Sequence, residues 1–240
     1  MNFTSCYPPV TRMMPVTACF LIAFAMVTVA GCADQKQQAD GLVRAAIKHS
    51  EAGRHIDAVQ LSGRAIALNP GLAEAFYLRG TCLCEMRQSQ QAVGDLSAAT
   101  RLKPDWDEAW CALGIAQITS GATEQGVASL TKALQLNSKM QPAWEARARG
   151  YRDLHRTEDE LGDIEELLEL DATHREALLR RGTLLSETNP PQAIEDFSSI
   201  IRRDRNNATA WTPYNPTLQR RFYKGGENGD LFAAGYESYD

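Results

Sequence analysis

The feature that most limits what this chain can become is its own recurrence. Phe76, Trp110 and Trp144 recur at one fixed interval of about 34 residues, which also separates Gly80, Gly114 and Ala148, and Ala99 from Ala133. Counting backwards, Ala92 maps onto Ala58, Ala99 onto Ala65 and Pro104 onto Pro70. A fixed period of this size signals stacked supersecondary units, none of which can bury its own apolar face unaided, and so a solenoid. About five copies fit, at 39–72, 73–106, 107–140, 141–174 and 175–207. Within each, apolar residues recur at three and four, which predicts two amphipathic helices, A and B, joined by a short turn. The alternation of a half-buried strand is absent, so the expected class is all-α.

The pattern resembles the tetratricopeptide repeat: an aromatic early in helix A, a small residue four later, small residues in helix B and a proline at the end. The second copy carries all of these in Phe76, Gly80, Ala92, Ala99 and Pro104. The resemblance implies a right-handed superhelical solenoid of about five antiparallel helix pairs, with small residues where helices approach and aromatics between neighbouring units.

Departures from the pattern set further expectations. Leu42 replaces the aromatic in the first copy, as suits a terminal unit, and Asp105 is a plausible N-cap for the helix beginning near Asp107. In the third copy Gly126 replaces the helix-B alanine, which predicts an intact but softer unit, since helical Gly costs up to about 1 kcal/mol against Ala. The fourth puts Glu160 and Leu167 where small residues are expected, so its helix B is either rotated or more loosely packed. Pro190-Pro191 is placed in the inter-helix turn of the fifth. Residues 208–224 read as a partial repeat or capping helix, and the Gly-rich, acidic stretch 225–240 as a disordered tail.

Before the repeats, Val16 to Gly31 is an apolar run of signal-peptide length, preceded by Arg12. It is short for a spanning helix, which needs about 20 apolar residues. The run ends Val29-Ala30-Gly31-Cys32, similar to the lipobox of bacterial lipoproteins. That resemblance implies that residues 1–31 are a signal peptide, that Cys32 is the lipidated first residue of the mature chain, and that 32–38 form a polar tether. Several acyl chains, at about 0.8 kcal/mol per buried CH2, would hold far better than one. In such proteins an aspartate directly after the cysteine can retain the chain at the inner membrane; here that place is Ala33, which favours the outer membrane, facing the periplasm. An ordinary secretion signal or an uncleaved anchor helix are the alternative readings.

Arg12 is the only charged side chain before Cys32, so removing the leader takes the net charge from −5 to −6. That sign argues against nucleic acid as a partner, because phosphate binding needs a basic stripe. Cys82, Cys84 and Cys111 are the only cysteines in the repeats, an odd number without zinc-ligand spacing. Cys84 and Cys111 sit seven repeat positions apart, about 10 Å along parallel helices, too far to bridge. No cofactor, metal or catalytic set is indicated: His49, His55, His155 and His174 are scattered, and there is no nucleophile with its base and no phosphate loop.

The resemblance further implies that helix A faces a concave groove. The matching positions here are Val43, Ile47, Tyr77, Thr81, Cys84, Cys111, Ile115, Ile118, Glu145, Arg149, Arg152, Leu179 and Thr183, with Arg180 beside them. Such a groove, apolar first and arginine-bearing later, suits a protein or peptide ligand: an amphipathic helix or an extended segment with acidic groups. The family's carboxylate clamp, a Lys or Arg at the fifth position of helix A with Asn at the ninth, occurs in no copy. Glu158, Asp159, Glu160, Asp163, Glu165, Glu166, Glu169 and Asp171 read as a solvated outer face of the fourth copy. The expected function is a membrane-anchored adaptor without catalysis of its own; an enzyme or accessory domain acting on peptidoglycan or a small ligand is the alternative.

Overall fold

A computed structural model describes residues 16–203, with side chains from Asp34 onward except at 201. The readings for 208–224 and 225–240 lie outside the described residues. Ten helices and no strand are found among the described residues: α1 (Val16–Glu51), α2 (His55–Leu68), α3 (Ala73–Glu85), α4 (Ser89–Leu102), α5 (Asp107–Thr119), α6 (Thr123–Leu136), α7 (Gln141–Asp153), α8 (Thr157–Leu170), α9 (Arg175–Leu185) and α10 (Pro190–Arg203).

α1 runs without a break through the signal-like stretch, the residues read as a tether at 32–38, and the first A helix. Ala33, Gln35, Lys36, Gln37, Gln38 and Ala39 are strong helix formers, so nothing local stops the helix between the apolar run and the repeats. Among the described residues no helix is long and apolar enough to cross a membrane.

The core is a row of separate clusters. Ala39, Val43, Ala65 and Ala75 form the first, and Ala46, Ala58 and Cys82 lie beside it. Leu83, Ala92, Leu96, Leu113 and Ala116 come next, followed by Leu130, Ala133, Leu134, Ala143 and Ala146. Ile164, Leu167, Leu168, Leu178 and Ile200 close the row. Each cluster draws on successive pairs, which is how units too thin to fold alone share one apolar interior. From pair to pair the A helices also meet directly, α1 with α3, α3 with α5 and α5 with α7, whereas the B helices pack chiefly on A helices. The array therefore curves with its A helices on the inner side.

The period also governs the joints. The turns from A to B helices pass through the left-handed region at Gly53 (φ 71°), Arg87 (φ 60°), Gly121 (φ 90°) and His155 (φ 56°), each a full repeat after the last. At the B-to-A joints, side-chain oxygens of Asn69, Asn137 and Asp171 accept from the backbone N–H two residues on. The indoles of Trp110 and Trp144 donate to the carbonyls of Pro104 and Ser138, at 2.9 and 2.8 Å, and so fix the preceding loop to the helix that follows.

Three expectations need correction. Asp105 does not cap α5: Trp106 occupies the cap position with no side-chain cap bond, while Asp107 and Glu108 lie in the first turn, where the helix dipole favours them. Pro190 and Pro191 open α10 rather than fill the turn; in the first helical turn a missing N–H costs nothing. Gly126 does not soften the third copy. A Cβ there would stand 2.5 Å from Ile118 Cγ1 and 2.7 Å from the Gly114 carbonyl, and one on Gly114 would meet the Gly126 carbonyl at 2.8 Å. The two glycines bring α5 and α6 together backbone to backbone, and this pair is the most extensively packed among the described residues.

Candidate functional site

The fourth copy contains what the third lacks. At the position of Gly126 stands Glu160, as Ala148 stands at that of Gly114, and Glu160 is buried, 2% exposed. A buried carboxylate needs a partner, and Arg180 of α9 supplies one: its Nε and Nη2 donate to the two carboxylate oxygens at 2.6 and 2.8 Å. α7 and α8 consequently pack less closely than α5 and α6, and α7 does not reach α9 as α5 reaches α7. Of the two readings left open for this copy, looser packing is the one found.

The space left is a cavity of about 370 Å³ between α7, α8 and α9. Ala148, Ile164, Leu167, Ala177 and Leu179 give it an apolar floor, and Glu145, Arg149, Arg152, His174, Glu176, Arg180 and Thr183 a polar rim. Six of the residues expected in the groove, Glu145, Arg149, Arg152, Leu179, Arg180 and Thr183, meet here. His174 Nδ1 accepts the Ala177 N–H at 3.3 Å as the cap of α9, which leaves the ring proton on Nε2, 2.6 Å from Glu145 Oε1. Thr183 donates to the Leu179 carbonyl. Arg149 and Arg152 are exposed and form no ion pair among the described residues.

The remaining candidates are spread along the inner face. Tyr77 is half-buried, its ring 4.5 Å from that of Trp106, and Thr81 donates to the Leu78 carbonyl. Cys84, Ile115 and Ile118 are half-buried against the second and third pairs. Ile47 is exposed. Val43 and Cys111 are buried in inter-helix clusters and act in packing; burial, with Asp107 and Glu108 nearby, pushes the Cys111 thiol up to about 11. Cys82, Cys84 and Cys111 are free thiols. Among the described residues no group of three or more His, Cys, Asp or Glu could hold a metal ion. Cys32 lies in the part of α1 whose side chains are not described.

The acidic run of α8 is not uniformly a solvated face. Glu160 and Asp163 are buried, and Asp163 pairs bidentately with Arg147 at 2.9 and 2.7 Å. Arg79 with Asp95 and Arg181 with Asp196 make the same bond in the second and fifth copies. The sequence carried a signal for this. Arginine recurs at 79, 147 and 181 and aspartate at 95, 163 and 196, the last pair closer by one because its copy is one residue short.

Solved structures decide the architecture. YrrB, described as a TPR protein with an unusual peptide-binding site, matches with a TM-score of 0.65 at 17% identity over 78% of this chain and 97% of its own. The fold is that of the tetratricopeptide repeat. PilF of Pseudomonas aeruginosa matches with a TM-score of 0.66 at 14% identity over 84% of this chain and 99% of its own, and MamA with 0.62 at 15% over 75% and 94%. With the TPR fold comes the right-handed superhelix of antiparallel helix pairs expected from the repeat. No family model matches the sequence, and no curated protein does.

Proposed function

We propose that this chain is a non-catalytic scaffold that holds a protein or peptide in the inner face of its TPR array, tethered to a bacterial envelope membrane through lipid on Cys32. The observation that carries the binding half is the convergence of Glu145, Arg149, Arg152, Leu179, Arg180 and Thr183 on one cavity with an apolar floor and two arginines that form no ion pair among the described residues. A recess that joins apolar area to a few placed polar groups is what a ligand site requires. The peptide-binding site attributed to YrrB, a neighbour in fold, supports the same use of the array here. The anchoring half is supported by the Val29-Ala30-Gly31-Cys32 sequence at the end of the apolar run, and Ala33 after it favours the outer membrane. Tethering raises the effective concentration of a partner at the surface, so weak contacts suffice.

Two experiments test the halves separately. Crosslinking the full chain in native membranes, followed by purification, is expected to recover a stoichiometric envelope protein; turnover of peptidoglycan or a small ligand by the purified protein alone would overturn the scaffold reading. Replacing Cys32 by Ser is expected to release the chain from the membrane fraction, and unchanged retention would refute lipid anchoring.

A further inference from the structure

The formal charges around the α7–α9 cavity balance, yet they are unevenly placed. Glu160 is held by both nitrogens of one edge of Arg180, and Glu145 accepts from His174. Glu176 stands on the α9 side of the rim. On the α7 side Arg149 and Arg152, both exposed, lie beyond the Glu145 carboxylate, two guanidinium charges against one acid. Every other arginine of the A helices from α3 to α9 at an inter-helix position, namely Arg79, Arg147, Arg180 and Arg181, is bound bidentately to a carboxylate of its own chain. Arg149 and Arg152 have the same fork of donors and, among the described residues, nothing of this kind to receive it.

Resting on the scaffold reading above, we propose that this cavity binds an extended acidic segment of a partner protein. Two carboxylate side chains on alternate residues meet Arg149 and Arg152, and an aliphatic side chain on the same face settles against Leu167 and Leu179. The spacing suits this ligand. Residues three apart on a helix have Cβ atoms about 5–6 Å apart. An extended peptide presents every second side chain on one face at about 6.8 Å, so an acid-x-acid pattern brings one carboxylate to each guanidinium. A free C-terminal carboxylate would satisfy only one of them. The Leu179 side of the cavity then covers an aliphatic group that the charged pair alone would leave in water.

The test is selection of random dodecapeptides, displayed on phage through their C-termini, against the full-length chain, followed by fluorescence polarisation of the enriched peptides. The expected enrichment is an acid-x-acid pair flanked by an aliphatic residue. Affinity should fall about tenfold or more on the Arg149→Ala/Arg152→Ala variant. The same fall is expected when the peptide's acids are changed to amides on the unaltered protein, a readout independent of how the variant folds. Glu176→Gln should tighten binding about two- to threefold, and Arg44→Ala, on the first pair, should leave it unchanged. Enrichment without acids, or binding that survives both the double substitution and the amide peptides, would overturn the proposal while leaving the scaffold reading intact. No enrichment at all would also overturn it, and the membrane crosslinking would then decide the broader reading on its own.

Discussion

The third and fourth helix pairs are built on the same register and reach opposite outcomes at one position. Gly126 lets α6 settle on the backbone of Gly114, and the pair closes. Glu160, at the same place in the next copy, buries a carboxylate, recruits Arg180 from the following pair and leaves a cavity beside it. In a solenoid each interface is nearly autonomous, so one pair can be opened for binding while its neighbours carry the stability. Conversion of a packing position into a polar strut is thus a way to make a site without disturbing the array.

The sharpest way to break the comparison is to move the strut. Gly126→Glu would force a Cβ into the Gly114 carbonyl and bury a carboxylate without a partner, because the repeat position of Arg180 is held one copy earlier by Ala146. Overpacking and an unpaired buried charge together should destabilise by about 4 kcal/mol or more, read from denaturant midpoints. A loss under about 1 kcal/mol would mean that the α5–α6 approach is not tight.

Next in size is the Arg147–Asp163 pair, whose side chains are 13% and 5% exposed. Burial pushes the Asp163 carboxyl up while Arg147 opposes it, so the bond is held by mutual need rather than surplus attraction. Asp163→Ala should cost about 3 kcal/mol by stranding the guanidinium. The third copy has Leu113 and Ser129 at these positions, with Ser129 donating to Gln117 at 2.6 Å instead. Arg147→Leu combined with Asp163→Ala removes both buried charges and should therefore recover most of the loss, and a double variant as unstable as the single one would refute this account.

How far all this was legible in the sequence depends on the range of the cause. Helix type and the places of Phe76, Gly80, Gly114 and Ala148 followed from local spacing, which the period repeats and so reinforces. Gly126 reads as a weak point because helix propensity counts a residue alone, whereas its value lies in the backbone of Gly114 on the facing helix. Glu160 and Asp163 read as part of a solvated face because acidic neighbours hide them; the recurrence of arginine and aspartate marks Asp163, but only its partner on α9 sets Glu160 apart. The convergence of Arg149, Arg152 and Leu179 could be read from helix-A positions. The cavity could not, since it arises from the failure of two helices to close.

Removing the strut is a gentler probe than moving it. Glu160→Ala leaves Arg180 without its carboxylate, but the Arg180 side chain is 34% exposed and can turn to water, so the expected loss is about 1–2 kcal/mol rather than that of a sealed pair. The same change should let α7 and α8 approach and shrink the cavity, visible in a crystal structure of the variant. An unchanged α7–α8 separation would show that Leu167, not Glu160, keeps the pair apart.

The smallest effect lies in the turns of the same two copies. Both adopt left-handed backbone, at Gly121 in the third and at His155 in the fourth, and only glycine does so without a clash between Cβ and carbonyl. His155 is exposed, so its side chain contributes little that would offset the strain. His155→Gly should then raise stability by about 0.5–1 kcal/mol, the steric relief of about 1–2 kcal/mol less the extra chain entropy of glycine. Gly121→Ala should lower it by a similar amount. Opposite signs from the two thermal melts would place the strain in the backbone, whereas a loss in both would place it in contacts of the His155 ring.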